Sequence, residues 1–231
     1  MQNKALDRQI RLIGQEKTQL LQGKCVAVFG LGGVGSYTVE ALARAGVGKI
    51  VVCDGDVVDV TNINRQLYAL NSTVGQSKTS VCKSRVLDIN PNAQVVEYNK
   101  FFTKETVGDF DLEDVDYIVD CIDMVSSKIL LVERAKSAYK PIIACLGTGN
   151  KLDPTAFKVA DIYKTKMCPL AKVLRKELKD RGIKDLTVVY SEEEPKTPFG
   201  EDKRTPASIS FVPSVAGLIL ASKVIKDLIG E

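Results

Sequence analysis

No histidine occurs among the 231 residues. That absence excludes imidazole acid–base catalysis, Ser–His and Cys–His couples and histidine-bearing metal sites. Carboxylates, lysines, arginines, backbone amides and a hard cation must carry any chemistry. Six cysteines occur, yet no two form a CxxC pair. Cys25, Cys53, Cys121 and Cys145 fall in apolar runs that read as buried strands, and Cys82 falls in a helical stretch, where cysteine acts as a small hydrophobe. This is a reducing-compartment pattern rather than a disulfide framework. A long apolar run is also missing. The nearest approach, close to the C-terminus, is interrupted by Ser214, Ser222, Lys223, Lys226 and Asp227, so it reads as an amphipathic helix and not a membrane span. Met1-Gln2-Asn3-Lys4 opens without the apolar core of a signal peptide, and the expectation is a cytoplasmic protein with no membrane association. Excess charge is small as well. A net +3 does not by itself argue for a nucleic-acid partner, although nine basic residues face three acidic ones between Lys158 and Lys184.

What is present is a nucleotide-binding fingerprint. The apolar run Val26–Phe29 leads into Gly30-x-Gly32-Gly33-x-Gly35 and then a helix-like stretch to Ala45. A second apolar run, Val51-Val52-Cys53, ends in Asp54. Gly30 permits the tight turn, Gly32 lets the backbone approach a phosphate, and Gly35 allows close helix packing. The helix N-terminus offers unpaired N–H groups to an anion, and Asp54 stands where a carboxylate accepts from a ribose. The next segment narrows the nucleotide. Asp54-Gly55-Asp56 is followed by Thr61-Asn62-Ile63-Asn64-Arg65-Gln66 and then Gly75-Gln76-Ser77-Lys78. A dehydrogenase needs no such polar cluster after its ribose acid. An ATP-handling enzyme does, because Arg65 and Lys78 can hold the β- and γ-phosphates. A further strand, Tyr117–Cys121, leads to Asp123, placed at the carboxyl end of the sheet to hold Mg2+.

These residues and spacings, with the opening Asp7-Arg8-Gln9-Ile10, resemble the family of ubiquitin-activating enzymes and molybdopterin-synthase and thiamine-biosynthesis adenylyltransferases over roughly residues 4 to 150. Within that family the chain looks most like the tRNA threonylcarbamoyladenosine dehydratases, which use ATP to close a threonylcarbamoyl side chain beside the anticodon into a ring. The resemblance implies a homodimer and adenylation of a carboxylate. It implies an ATP site of Gly30, Gly32, Gly33, Gly35, Asp54, Asp56, Asn62, Arg65, Gln66, Lys78 and Asp123, with catalytic roles for Arg65, Lys78 and Asp123. It further implies that Arg8 reaches the partner subunit's phosphates. Cys168 precedes a helix whose dipole would lower a thiol pKa. Ring closure needs no enzyme thiol, because a neighbouring group attacks within one molecule. Cys168 is therefore expected to pack or cap. The resemblance also allows a partner protein in sulfur transfer or redox chemistry.

Three other readings compete. A sulfur-carrier adenylyltransferase fits the same fingerprint, but many of those hold zinc with two CxxC pairs, which this chain lacks, and the basic 158–184 stretch favours RNA. An NAD-dependent oxidoreductase would not need Arg65. A nucleotide sensor would not need the full set of Arg65, Lys78 and Asp123.

The organisation follows from periodicity. Strands are expected at 25–29, 49–54, 94–98, 116–121 and 141–145, and helices at 15–22, 34–45, 77–89 and 124–139. This alternation predicts an α/β fold: a Rossmann-like, mostly parallel sheet with helices on both faces. Residues 1–150 form the ATP-binding module. Residues 151–231 form a smaller extension that binds substrate and tRNA, packed with the module as one globular unit. Its expected strands are Phe157–Ile162, Leu186–Tyr190 and Ala207–Phe211, partly antiparallel. One expected helix starts at Pro169, with Leu170, Val173, Leu174 and Leu178 as its apolar stripe, and another runs from about Pro213 to Ile229. The run Ser191–Pro206 holds three prolines and many charges and reads as a long loop, partly disordered without tRNA.

Overall fold

The computed structural model describes residues 4–200 and 205–231. Two short helices, α1 (Asp7–Ile13) and α2 (Gln15–Gln22), precede β1 (Cys25–Phe29). The chain then alternates through α3 (Gly35–Arg44), β2 (Lys49–Cys53), α4 (Lys78–Ile89), β3 (Gln94–Tyr98), β4 (Tyr117–Asp120), α5 (Val125–Ser137) and β5 (Ile142–Cys145). The last third adds β6 (Phe157–Asp161), α6 (Pro169–Asp180), β7 (Thr187–Ser191) and α7 (Phe211–Leu228).

All seven strands join one sheet in the order β3-β2-β1-β4-β5-β7-β6. Every neighbouring pair is parallel except β6 with β7, which closes the edge antiparallel. Strands buried on both faces read as unbroken apolar runs. In β1, Cys25, Ala27 and Phe29 feed one core while Val26 and Val28 feed the other, as period-two side chains must. The strand order reverses between β1 and β4, and ligands in such sheets bind outside the carboxyl ends at that crevice.

The expected α/β architecture is present, with two corrections in the extension. Residues 207–211 do not form a strand. Their Ser/Ile/Ser/Phe alternation is only four residues long, and the backbone partners nearby are loop groups. The Ala207 N–H donates to Asn150 Oδ1 at 2.7 Å, and Asn64 Nδ2 donates to the Ser208 carbonyl at 3.1 Å. The final helix instead starts at Phe211, with Pro213 in its first turn, where no intrahelical partner for an N–H is lost. On α6, Val173 is 48 % exposed and Ala171 takes its place in the buried stripe with Leu174 and Leu178. Turning about 100° per residue places Val173 about 100° from Leu174, whereas Ala171 lies only about 60° away. The disorder expected for 191–206 bears in part on 201–204, outside the described residues.

The extension braces the front of the sheet. α7 packs across α3 so closely that a Cβ on Gly217 would stand 2.3 Å from the Val34 carbonyl oxygen. Thr38 Oγ1 on α3 donates to the Gly217 carbonyl at 3.0 Å. Asn150, held at φ +62°, accepts on its carbonyl from Lys196 N–H at 2.8 Å and donates its own N–H to the Ala207 carbonyl at 2.8 Å. One residue thus pins both ends of the loop that leads into α7.

Candidate active site

The glycine turn after β1 is built by backbone contact. Gly30 sits at φ +89°, and a Cβ there would meet the Cys121 carbonyl oxygen at 2.6 Å. A Cβ on Gly35 would lie 1.8 Å from the Gly30 carbonyl oxygen, so no side chain fits between the turn and the first turn of α3. Asp54 secures this arrangement. Its carboxylate accepts from the Leu31 N–H at 2.7 Å and from the Asp56 N–H at 2.8 Å. Burial raises the Asp54 carboxyl above the usual range, opposed by the Lys78 charge and these two amides.

Beyond Asp54 the segment 59–68 folds back over the turn. Asp59 caps a short 3-10 turn by accepting from Thr61 N–H at 2.8 Å, while Asn62 Oδ1 accepts from Asp59 N–H at 3.2 Å. Ser36 Oγ accepts from Leu67 N–H at 3.2 Å, which fixes this segment to α3. Arg65 is aimed by Asn64 and Thr61: its Nη1 donates to Asn64 Oδ1 at 2.9 Å and to the Thr61 carbonyl at 3.0 Å. The guanidinium makes no ion pair among the described residues, so its charge is available. Lys78 opens α4. Its stem is buried, and Nζ reaches Asp56 Oδ2 at 2.8 Å, while Asp56 itself is half exposed. An incoming phosphate would find a buried cation whose present partner can turn to solvent.

On the other side of the switch point, the turn after β4 is clamped from below. Asp120 and Lys128 are both fully buried, with Nζ 3.0 Å from Oδ2. Asp120 Oδ1 accepts from Ile122 N–H at 3.0 Å, and Lys128 Nζ donates to the Ile122 carbonyl at 2.8 Å. Burial raises the Asp120 carboxyl, and the Lys128 charge opposes that rise. The clamp fixes residues 121–124, which press on Gly30 and carry Asp123 at the rim. Asp123 is exposed and forms no ion pair among the described residues.

These groups line one cleft of about 830 Å3. Gly30, Gly32, Gly33, Asp54, Asp56, Asn62, Arg65, Gln66, Lys78 and Asp123 all face it. Gly35 does not; it serves packing. Arg8, exposed on α1, does not line the cleft of its own chain. The far wall was not anticipated: Gly147–Gly149, Leu170, Pro206, Ser208 and Pro213 continue the cleft beyond Arg65 and Lys78. Asn64 and the Asp120–Lys128 clamp were likewise missed. Asn64 lay inside the polar run, but its reach to Ser208 spans 144 positions and leaves no local trace.

Burial pushes the Cys53, Cys82 and Cys145 thiols up to about 12 and raises Cys121 well above its usual value. Cys168 occupies the position before α6 but makes no side-chain capping bond, and it packs into the core. Among the described residues no group of three or more carboxylates or thiols is arranged to hold a metal. Mg2+ is usually held by one or two carboxylates with phosphate oxygens and water completing its shell, and Asp123 on the rim of a cationic cleft fits that pattern.

The fold and cleft define a doubly wound nucleotide-binding module, with Arg65 and Lys78 lining a cleft at the topological switch point. The chain belongs to the ThiF family, whose family model matches residues 6–231. It is 44 % identical to the tRNA threonylcarbamoyladenosine dehydratase of Bacillus subtilis, over 95 % of this chain and 92 % of that one. It superposes with a TM-score of 0.92 and 33 % identity on the Escherichia coli tRNA N6-threonylcarbamoyladenosine dehydratase in complex with ATP, covering 98 % of this chain and 94 % of that one. The adenylyltransferase and sulfurtransferase of Kluyveromyces lactis is 34 % identical over only 58 % of this chain and 29 % of its own length. No helix among the described residues is long and apolar enough to cross a membrane.

Proposed function

We propose that the protein uses ATP to dehydrate N6-threonylcarbamoyladenosine in tRNA, closing the threonylcarbamoyl side chain into a ring. The similarity to the Bacillus dehydratase over nearly the full length of both chains carries this reading. The cleft supports it, because it extends beyond the phosphate-facing residues to a wall from the extension that can take an acceptor. A sulfur-carrier adenylyltransferase is less well supported, since that relative matches only 58 % of this chain and 29 % of its own length.

In this mechanism the threonyl carboxylate attacks the α-phosphate of ATP and pyrophosphate leaves. A carbamoyl atom of the same side chain then attacks the mixed anhydride, expelling AMP. One water is lost from the nucleoside overall. Holding both groups within one molecule supplies the high effective concentration that the second step needs. Arg65 and Lys78 place fixed charge on the phosphates where negative charge builds up, which is worth more in a cleft than in water. Asp54 holds the glycine turn and receives the ribose. Asp123 would hold Mg2+, which supplies charge neutralisation on the phosphates. Arg8 of the second subunit in a homodimer completes the phosphate contacts. Residues 1–150 carry the ATP site and residues 151–231 the acceptor side, packed as one unit.

The test is nucleoside mass spectrometry on tRNA bearing threonylcarbamoyladenosine, incubated with the protein and Mg-ATP. The expected result is ATP-dependent loss of one water, with AMP released; ADP in its place would move activation to the γ-phosphate. Arg65→Ala should abolish turnover with the fold intact. An unchanged nucleoside, with ATP bound, would overturn the reading.

A further inference from the structure

The extension carries a charged feature that the cleft chemistry does not use. On α6, Lys172, Lys176 and Lys179 are all exposed and follow one another at intervals of four and three residues. At about 100° per residue the three lie within about 60° of one another, and a rise of about 1.5 Å per residue spaces them over roughly 10 Å. The opposite face of the helix, Ala171, Leu174 and Leu178, is sunk in the core. None of the three lysines is in an ion pair among the described residues. The neighbouring cations are: Lys136 with Asp185, Lys158 with Glu192 at 2.5 Å, and Arg181 with Glu177 at 2.7 Å. Of the acids on α6, Glu177 pairs with Arg181, and Asp180 makes no ion pair among the described residues.

Rigidity is built in. Arg175, half buried on the same helix, donates to the Thr165 hydroxyl and to the Thr165 carbonyl at 3.2 Å, tying α6 to the strand-end segment before it. Exposed Lys164 and Lys166 flank Thr165, so they add charge beside the helix. Leu170, in the first turn of α6, lines the cleft wall, so the helix that carries the stripe starts at the cleft. The three lysines stand about 120–180° around the helix from Leu170, on its solvent side.

We infer that Lys172, Lys176 and Lys179 form a docking rail for the RNA phosphate backbone, holding the strand whose modified nucleotide enters the cleft. The inference rests on the tRNA reading above and adds the surface that grips the RNA. Contacts of this kind are sequence-independent and position the substrate without reading its bases. The rail therefore sets affinity and salt dependence and leaves the chemical step alone.

The experiment compares the full-length protein with K172Q/K176Q/K179Q. A control, K24Q/K49Q/K140Q, removes the same charge at the amino ends of β1, β2 and β5, on the edge opposite the cleft. Fluorescence anisotropy with a labelled tRNA transcript is run across a salt series, beside ATP binding and dehydration of the modified tRNA. The stripe variant should bind tRNA at least tenfold more weakly. Its slope of log affinity against log salt should fall by about 2–3, as for three lost phosphate contacts. Its KM for tRNA should rise with kcat and ATP binding unchanged, and lysine-to-arginine replacement should restore binding. The control should behave as wild type. Equal affinity and slope for the stripe variant and wild type would overturn the inference, as would an equal loss in the control. Failure of the wild-type protein to dehydrate modified tRNA would strike the dehydratase reading instead, since binding is read separately.

Discussion

Replacing Lys128 with methionine keeps most of the side chain's length and removes its charge, and the consequence follows from the burial of its partner. Asp120 is 0 % exposed, and Lys128 is its only ion-pair partner among the described residues. The variant strands a buried carboxylate and takes a donor from the Ile122 carbonyl. Breaking one side of a buried pair costs about 3–5 kcal/mol, and in a chain of this size each kcal/mol shifts Tm by roughly 2–4 °C, so Tm should fall by roughly 6–20 °C. The deficit should depend on pH with a definite sign. Burial already raises the folded-state Asp120 carboxyl, and loss of the Lys128 charge raises it further above the unfolded value. A raised carboxyl destabilises the fold while it is ionised, above its folded pKa. That penalty shrinks as pH falls through the folded pKa and vanishes below the unfolded value of about 3.9. Urea unfolding of wild type and variant at neutral and mildly acidic pH measures the gap. The double variant K128M/D120N, which keeps an acceptor for the Ile122 N–H and leaves no charge, should recover most of the loss. A single variant within about 1 kcal/mol of wild type at neutral pH, or a gap that does not narrow on acidification, would refute the clamp as described.

Two further outcomes follow from the geometry. Gly35→Ala puts a Cβ 1.8 Å from the Gly30 carbonyl oxygen, so the glycine turn must move; calorimetry should show ATP binding weakened at least tenfold, together with a lower Tm. Glu40 joins α3 to α4 through Arg85 at 2.7 and 3.0 Å and pairs with Arg44 at 2.6 Å. Burial would raise its carboxyl, but the hydrogen bonds from Arg85 and Arg44 outweigh it and hold the group below the usual range. A lowered carboxyl stabilises the fold above its unfolded pKa and loses that contribution as pH falls through the folded pKa. Glu40→Gln should therefore cost about 1–2 kcal/mol near neutrality and flatten the acid limb of the stability curve, read by denaturant melts across pH.

Much of the cleft was legible because its parts are local. The turn Gly30–Gly35, the acid ending the next strand and the run Asn62–Gln66 lie within 40 residues, and each sits where strand and helix periods change. The five parallel strands of the first 150 residues and four of the helices were legible for the same reason, since apolar period reports burial directly. The extension was harder to read. Residues 207–211 alternate like a strand, yet their hydrogen bonds are made with Asn150 and Asn64 rather than with a strand. Val173 looked apolar enough for the core, but α6 turns it outward.

The amino-acid sequence by itself determined the doubly wound sheet, the glycine turn at its switch point and the cations set around it, because these depend on residue type and short spacing. Only the tertiary structure decided what lies opposite Arg65 and Lys78: the wall from Gly147–Gly149, Pro206, Ser208 and Pro213. It also decided that Lys128 would be buried against Asp120 and that Leu170 of α6 would line the cleft. The charge of a lysine is written in the chain, but whether it meets a carboxylate, a phosphate or water depends on segments far apart in sequence that are brought together by packing.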